Sequence, residues 1–206
     1  MIRNHLPHLT LFVTLVFALP PPGLAASAPQ LAANPSTPER LAANKAWSAY
    51  RYRDKKGLVC YLVGKPAKME PAAGNRNASL LVTHDNGENT RNVVSLVPGY
   101  AYKDGSSVSL LAGAKSFELF TKGDRAWARD AATDKAVVEA LRRAKNAVFK
   151  GTPAKGAATT DTYVLSGFPK TLDEIDKACP LPGATPPKAA PLKGAKAHPG
   201  ATPPKH

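Results

Sequence analysis

The chain has 206 residues, 43% of them hydrophobic, and a formal net charge of +13. That apolar share argues against a chain disordered throughout, and two cysteines with five histidines leave little material for a metal cluster or a disulfide-dense scaffold. The basicity favours anionic partners.

At the start, Arg3 precedes an apolar run from Leu9 to Leu19, followed by Pro20 to Pro22, Gly23 and small residues. This is the pattern of a secretory signal peptide, expected over residues 1–26 with cleavage after Ala25 or after Ala28. The run is about half the roughly 20 apolar residues that a membrane-spanning helix needs, and no other segment approaches that length. The expectation is export, to the periplasm or the cell surface. Residues 27–45, SAPQLAANPSTPERLAANK, are rich in Ala, Pro, Asn and Ser and read as a flexible linker.

Residues 46–179 read as one domain. Short strands are predicted at 47–53, 58–63, 79–84, 92–97, 107–112, 116–121, 125–129, 146–151 and 161–168, separated by turn residues. Asp104-Gly105, Gly113 and Gly123 suit tight hairpins, so residues 92–129 read as an antiparallel meander. Two helices interrupt the strands. In the first, Val137, Leu141, Ala144 and Val148 hold helical spacing, with Thr133 or Asp134 available as N-cap. The second, PKTLDEIDKAC, starts near Pro169 and puts Leu172, Ile175 and Cys179 on one stripe. The fold class is therefore mainly β, an antiparallel sandwich or barrel-like meander with two short helices.

Residues 180–206 contain no acidic and no aromatic side chain, and PGATPPK occurs at 182–188 and again at 199–205. Such a segment buries too little apolar surface to offset its ordering entropy, so a disordered tail is expected. Its lysines, Lys188, Lys193, Lys196 and Lys205, suit an electrostatic tether to an anionic envelope layer. In an exported protein the anionic partners are lipopolysaccharide, wall polymers or host glycans, and peripheral contact with a membrane surface follows from the same charge. Nucleic acid is not expected, because no aromatic-basic RNA-binding motif is present.

Cys60 and Cys179 are the only cysteines, and an even count in an exported chain predicts that they pair. The helical stripe would carry Cys179 inward to meet Cys60. A zinc site would normally need four ligands, and His84 is the only histidine between residues 9 and 197, so no metal or cofactor is expected. His84 is also the only plausible histidine base for a hydrolase. At a strand end before a polar turn, it reads as a solvated or capping residue rather than a catalytic one.

AGAKS at 112–116 splits the Gly-Lys pair a phosphate loop requires and reads as a hairpin turn. Paired carboxylates for glycoside hydrolysis would have to come from Asp124, Asp130, Asp134 or Asp161. No catalytic set is assigned. The remaining motif is Arg125, Trp127 and Arg129 in RAWAR, between Asp124 and Asp130. The alternation is read as placing an aromatic face opposite a basic one, with Trp127 in the core at a strand-to-helix corner. The rival reading makes Arg125, Trp127 and Arg129 a ligand-contact platform.

Five stretches resemble the invasion-associated locus B family of exported alphaproteobacterial proteins. They are YRYRDKKGLVCYLVGKP (50–66), LVTHDNGENTRNVVSLVPGYAYKDGSSVSL (81–110), FELFTKGDRAWARDAATDKAVVEAL (117–141), KGTPAKGAATTDTYVLSGF (150–168) and IDKAC (175–179). The resemblance implies an exported, β-rich protein of the periplasm or cell surface, named for host-cell invasion. It carries no catalytic residue over to this chain. The expected function is thus non-enzymatic binding at the envelope, in host-cell interaction or envelope maintenance, with a periplasmic hydrolase of wall or glycan polymers as the alternative.

Overall fold

The computed structural model describes residues 37–72 and 76–180. The expected signal peptide, most of the linker and the tail beyond Pro180 lie outside the described residues. Eleven strands are present among them: β1 (Glu39–Asn44), β2 (Trp47–Arg53), β3 (Leu58–Gly64), β4 (Lys68–Glu70), β5 (Ser79–Asp85), β6 (Thr90–Val97), β7 (Ser107–Ala112), β8 (Lys115–Lys122), β9 (Arg125–Trp127), β10 (Asn146–Gly151) and β11 (Thr159–Val164). Two helices, α1 (Ala131–Arg143) and α2 (Phe168–Ala178), complete the set. No helix among the described residues is long and apolar enough to cross a membrane.

All strands join one antiparallel sheet in the order β1-β2-β3-β5-β6-β9-β8-β7-β10-β11-β4. The mainly β expectation is met, and the two-residue period is plain in β7, where Val108, Leu110 and Ala112 are buried and Ser107, Ser109 and Leu111 are exposed. The meander over 92–129 needs correction. The strands β7, β8 and β9 follow one another by hairpins at Gly113 and Gly123, but β6 pairs with β9. This is a Greek-key arrangement, in which the first strand of four lies beside the last.

Two strands were not expected. Residues 39–44, assigned to the flexible linker, form β1 and pair with β2 from Glu39↔Arg51 to Asn44↔Trp47. The domain therefore begins before residue 46, because Leu41 and Ala42 pack against the core. The short edge strand β4 pairs with β11. The helix α1 also starts earlier than expected. Its N-cap is Asp130, whose carboxylate accepts from the Thr133 amide at 2.7 Å, which leaves Thr133 and Asp134 inside the first turn. Val137 and Leu141 are buried as predicted, but Val148 belongs to β10.

The sheet curls so that strands far apart in its order meet across the core. Trp47 on β2 is fully buried, lies 6.3 Å from Tyr163 on β11 and 5.0 Å from Phe168 on α2, and donates from Nε1 to the Val164 carbonyl at 3.0 Å. Its cross-strand partner is Gly64. A Cβ there would stand 2.4 Å from the indole, so only glycine makes room for the ring. The helix α2 covers β1, β2 and β3, and α1 lies on β6. Gly167, the N-cap of α2, has φ +98°, and its Cα sits so close to Asn44 that a Cβ would be 2.4 Å from the Asn44 carbonyl oxygen. Both the backbone conformation and the contact demand glycine.

Cys60 and Cys179 are joined in a disulfide, with Cα atoms 6.0 Å apart and both residues fully buried. The bond ties β3 to the end of α2 across 119 positions. Closing a loop of that length contributes about 4 to 5 kcal/mol in the chain-entropy account.

Candidate binding site

The strand β9 contradicts the reading of Trp127 as core. Residues at i and i+2 of a strand share one face, so Arg125 and Trp127 point the same way, and Arg129, past the strand end, reaches Glu118 of β8; the aromatic and basic groups are neighbours rather than opposites. The inward positions belong to Ala126 and Ala128, which are buried. Ala126 stands opposite Leu96 of β6, which belongs to the same core. The core tryptophan is Trp47 instead.

Outside, Trp127 stacks on Phe120 of β8, its cross-strand partner, at 5.6 Å between ring centroids and 28° between planes. Phe120 is 40% exposed, one of three large apolar residues left open to solvent among the described residues. Arg125 stands opposite Lys122 in the same pair of strands. Neither has an acidic partner among the described residues, whereas Arg129 pairs with Glu118 at 3.2 Å on the surface. The result is a half-open aromatic pair with two like charges at one end and an ion pair at the other. Phe120 was not picked out from the sequence, although its alternation with Leu119 in FELFT carries the signal.

Three of the four aspartates considered for acid–base chemistry have other roles. Asp130 caps α1, and the Thr133 amide holds its carboxyl below the usual range. Asp134 is buried and accepts from the Val94 amide at 2.8 Å. Asp161 is buried in a two-pronged pair with Arg76, whose guanidinium also donates to the Pro98 carbonyl. Asp124 is exposed in the β8–β9 turn.

His84 is neither solvated nor a cap. It is fully buried, opposite Cys60 in the β3–β5 register. Its Nδ1 accepts from the Asn92 amide at 3.1 Å, which puts the proton on Nε2, 2.9 Å from Asp176 Oδ1. Asp176 also receives Arg91 at 2.6 Å and Arg142 at 3.3 Å, and Arg142 reaches Asp173 at 2.7 Å. With both ring nitrogens engaged and no exposed surface, His84 locks α2 to β5 and β6. Asn92 is a near neighbour across the β5–β6 turn, but Asp176 lies 92 positions away in sequence and carries no local signal.

The sequence pattern of the invasion associated locus B (IalB) protein family matches residues 47–176. This chain belongs to the IalB family. No curated protein and no solved structure shows significant similarity to it. The IalB match takes in Trp47, His84, β9 and Asp176, so both the outer aromatic pair and the buried histidine network lie within the family's own segment. The strand β1 and Cys179 fall outside the match, yet in this IalB protein β1 extends the sheet and Cys179 anchors α2.

Proposed function

We propose that this protein is an exported binding protein of the cell envelope that acts without catalysis, holding anionic polymers of the envelope or host surface against the outer face of β8 and β9. The observation that carries this is the Phe120–Trp127 stack beside Arg125 and Lys122. Flat aromatic faces pack against the apolar faces of sugar rings, and cations without acidic partners attract carboxylate or phosphate groups on the same polymer. The buried disulfide supports an oxidising compartment, in keeping with the signal-like start of the sequence. The hydrolase alternative gains nothing from His84, whose ring nitrogens are both occupied in the interior.

The test is binding of the exported full-length protein to purified lipopolysaccharide and to wall fragments, over a range of salt. Affinity should fall steeply as salt rises, because attraction between exposed charges weakens with the Debye length, about 8 Å at physiological ionic strength. Trp127→Ala and Arg125→Ala should each weaken binding. Unchanged affinity in both variants would sink this reading.

A further inference from the structure

A second outward patch lies on β2, β3 and β5. Tyr50 and Tyr52 share the outer face of β2 at i and i+2, and Tyr61 stands opposite Tyr50 on β3. Tyr61 stacks on Tyr50 at 5.3 Å and 17°, and meets Tyr52 edge-on at 6.2 Å and 68°. Around these rings Pro38, Tyr52, Val59, Tyr61, Leu81 and Thr83 line a shallow cleft of about 370 Å³. The outer face of an antiparallel sheet is ordinarily polar where it meets water. This part of it is aromatic and aliphatic.

Two observations point to one occupant. First, the described chain ends at the strand ends next to the cleft, on the side of the sheet that α2 covers. Asn86 donates to the Pro180 carbonyl at 3.3 Å, Asn86 directly follows Asp85, and Asp85 is the register partner of Val59 in the cleft wall. The next residues begin the first PGATPPK repeat, 182–188. At about 3.1 Å per residue in polyproline geometry, that repeat covers roughly 6 to 25 Å of chain from Pro180, enough to pass around the adjoining ends of β3 and β5 onto the tyrosines. Second, the chemistry matches. Proline-rich segments recurrently dock in grooves lined by aromatic rings.

We propose that the tyrosine cleft is the docking site for this chain's own proline-rich repeat, PGATPPK at 182–188, bound within the same molecule. The cleft is distinct from the Trp127 face, so the two readings stand or fall separately.

The experiment is photo-cross-linking of the exported full-length protein with benzoylphenylalanine in place of Tyr52, mapped by mass spectrometry of the digest. A cross-link to residues 182–188 within the monomer is expected, with its yield reduced several-fold when Pro186→Gly and Pro187→Gly are introduced together. The same probe in place of Trp127 should not capture the repeat. As a check that leaves the tyrosines intact, the double proline variant should shift the ring resonances of Tyr52 and Tyr61 and leave those of Trp127 unmoved. Cross-links only to other segments, cross-links only between copies, or equal yields with and without the prolines would overturn the proposal, as would unmoved Tyr52 and Tyr61 resonances.

Discussion

The indole nitrogen of Trp47 donates a 3.0 Å hydrogen bond to the carbonyl of Val164, and so joins strands that stand second and tenth in the sheet. The bond closes the core because the ring also packs on Tyr163 and Phe168. Trp47→Ala should destabilise the domain by about 3 to 5 kcal/mol, the range for truncating a packed aromatic. Trp47→Phe should lose less, since most of the packing survives while the Val164 carbonyl loses its donor. Denaturant midpoints of the two variants check the order.

Trp127 should behave differently. It is half-buried and its aromatic partner is Phe120, and such a pair contributes about 0.5 to 1.5 kcal/mol beyond area burial. Trp127→Ala should therefore shift the unfolding midpoint much less than Trp47→Ala, while weakening attachment to lipopolysaccharide. A loss of stability as large as that of Trp47→Ala would return Trp127 to the core.

The disulfide makes a third prediction. With both cysteines fully buried, reduction should require denaturant, and the reduced domain should be less stable by about 4 to 5 kcal/mol. Native protein recovered after export should resist thiol alkylation. Two freely alkylated cysteines in that material would refute the pairing.

Asp176 makes acid stability readable. Burial alone would raise its carboxyl, but the hydrogen bond from His84 and the nearby charges of Arg91 and Arg142 outweigh that and hold it below the usual range. A depressed folded pKa gives stability that is present above the unfolded value, near 3.9, and is lost as pH falls through the folded one. Asp176→Asn should thus cost about 1 to 2 kcal/mol at pH 7, the charged-hydrogen-bond range discounted because the side chain is 36% exposed. It should also flatten the loss of stability in acid. Unfolding free energy measured from pH 7 to pH 2 checks both.

Asp134 has the opposite sign. Burial raises its carboxyl above the usual range, with the Asp130 charge in support and the Val94 amide opposing. A raised folded pKa means that stability falls as pH rises through it. Asp134→Asn keeps an oxygen for the Val94 amide and removes the buried charge, so the variant should be at least as stable as the parent at pH 7 and gain nothing in acid. Asp134→Ala, which strands that amide, should cost about 1 to 3 kcal/mol. Thermal midpoints at pH 7 and pH 3 separate the two.

The sequence by itself determined the mainly β class, the bounds of β2, β7 and β10, and the pairing of Cys60 with Cys179. Each rests on local alternation, on turn chemistry or on a count of two, and none needs to know what lies across the core. Local period also carried more than was taken from it, since Arg125 and Trp127 share a face by spacing alone. Which face points inward was a tertiary decision. A large aromatic looks like core in a sequence, but the register of β9 on β6 sets Ala126 opposite the core residue Leu96 and Trp127 opposite Ser95, so the tryptophan goes outside. The neighbours of His84 were decided the same way. Asp176 reaches it only after α2 docks on a sheet whose register is already set, and a contact across 92 positions leaves no periodic trace in the chain.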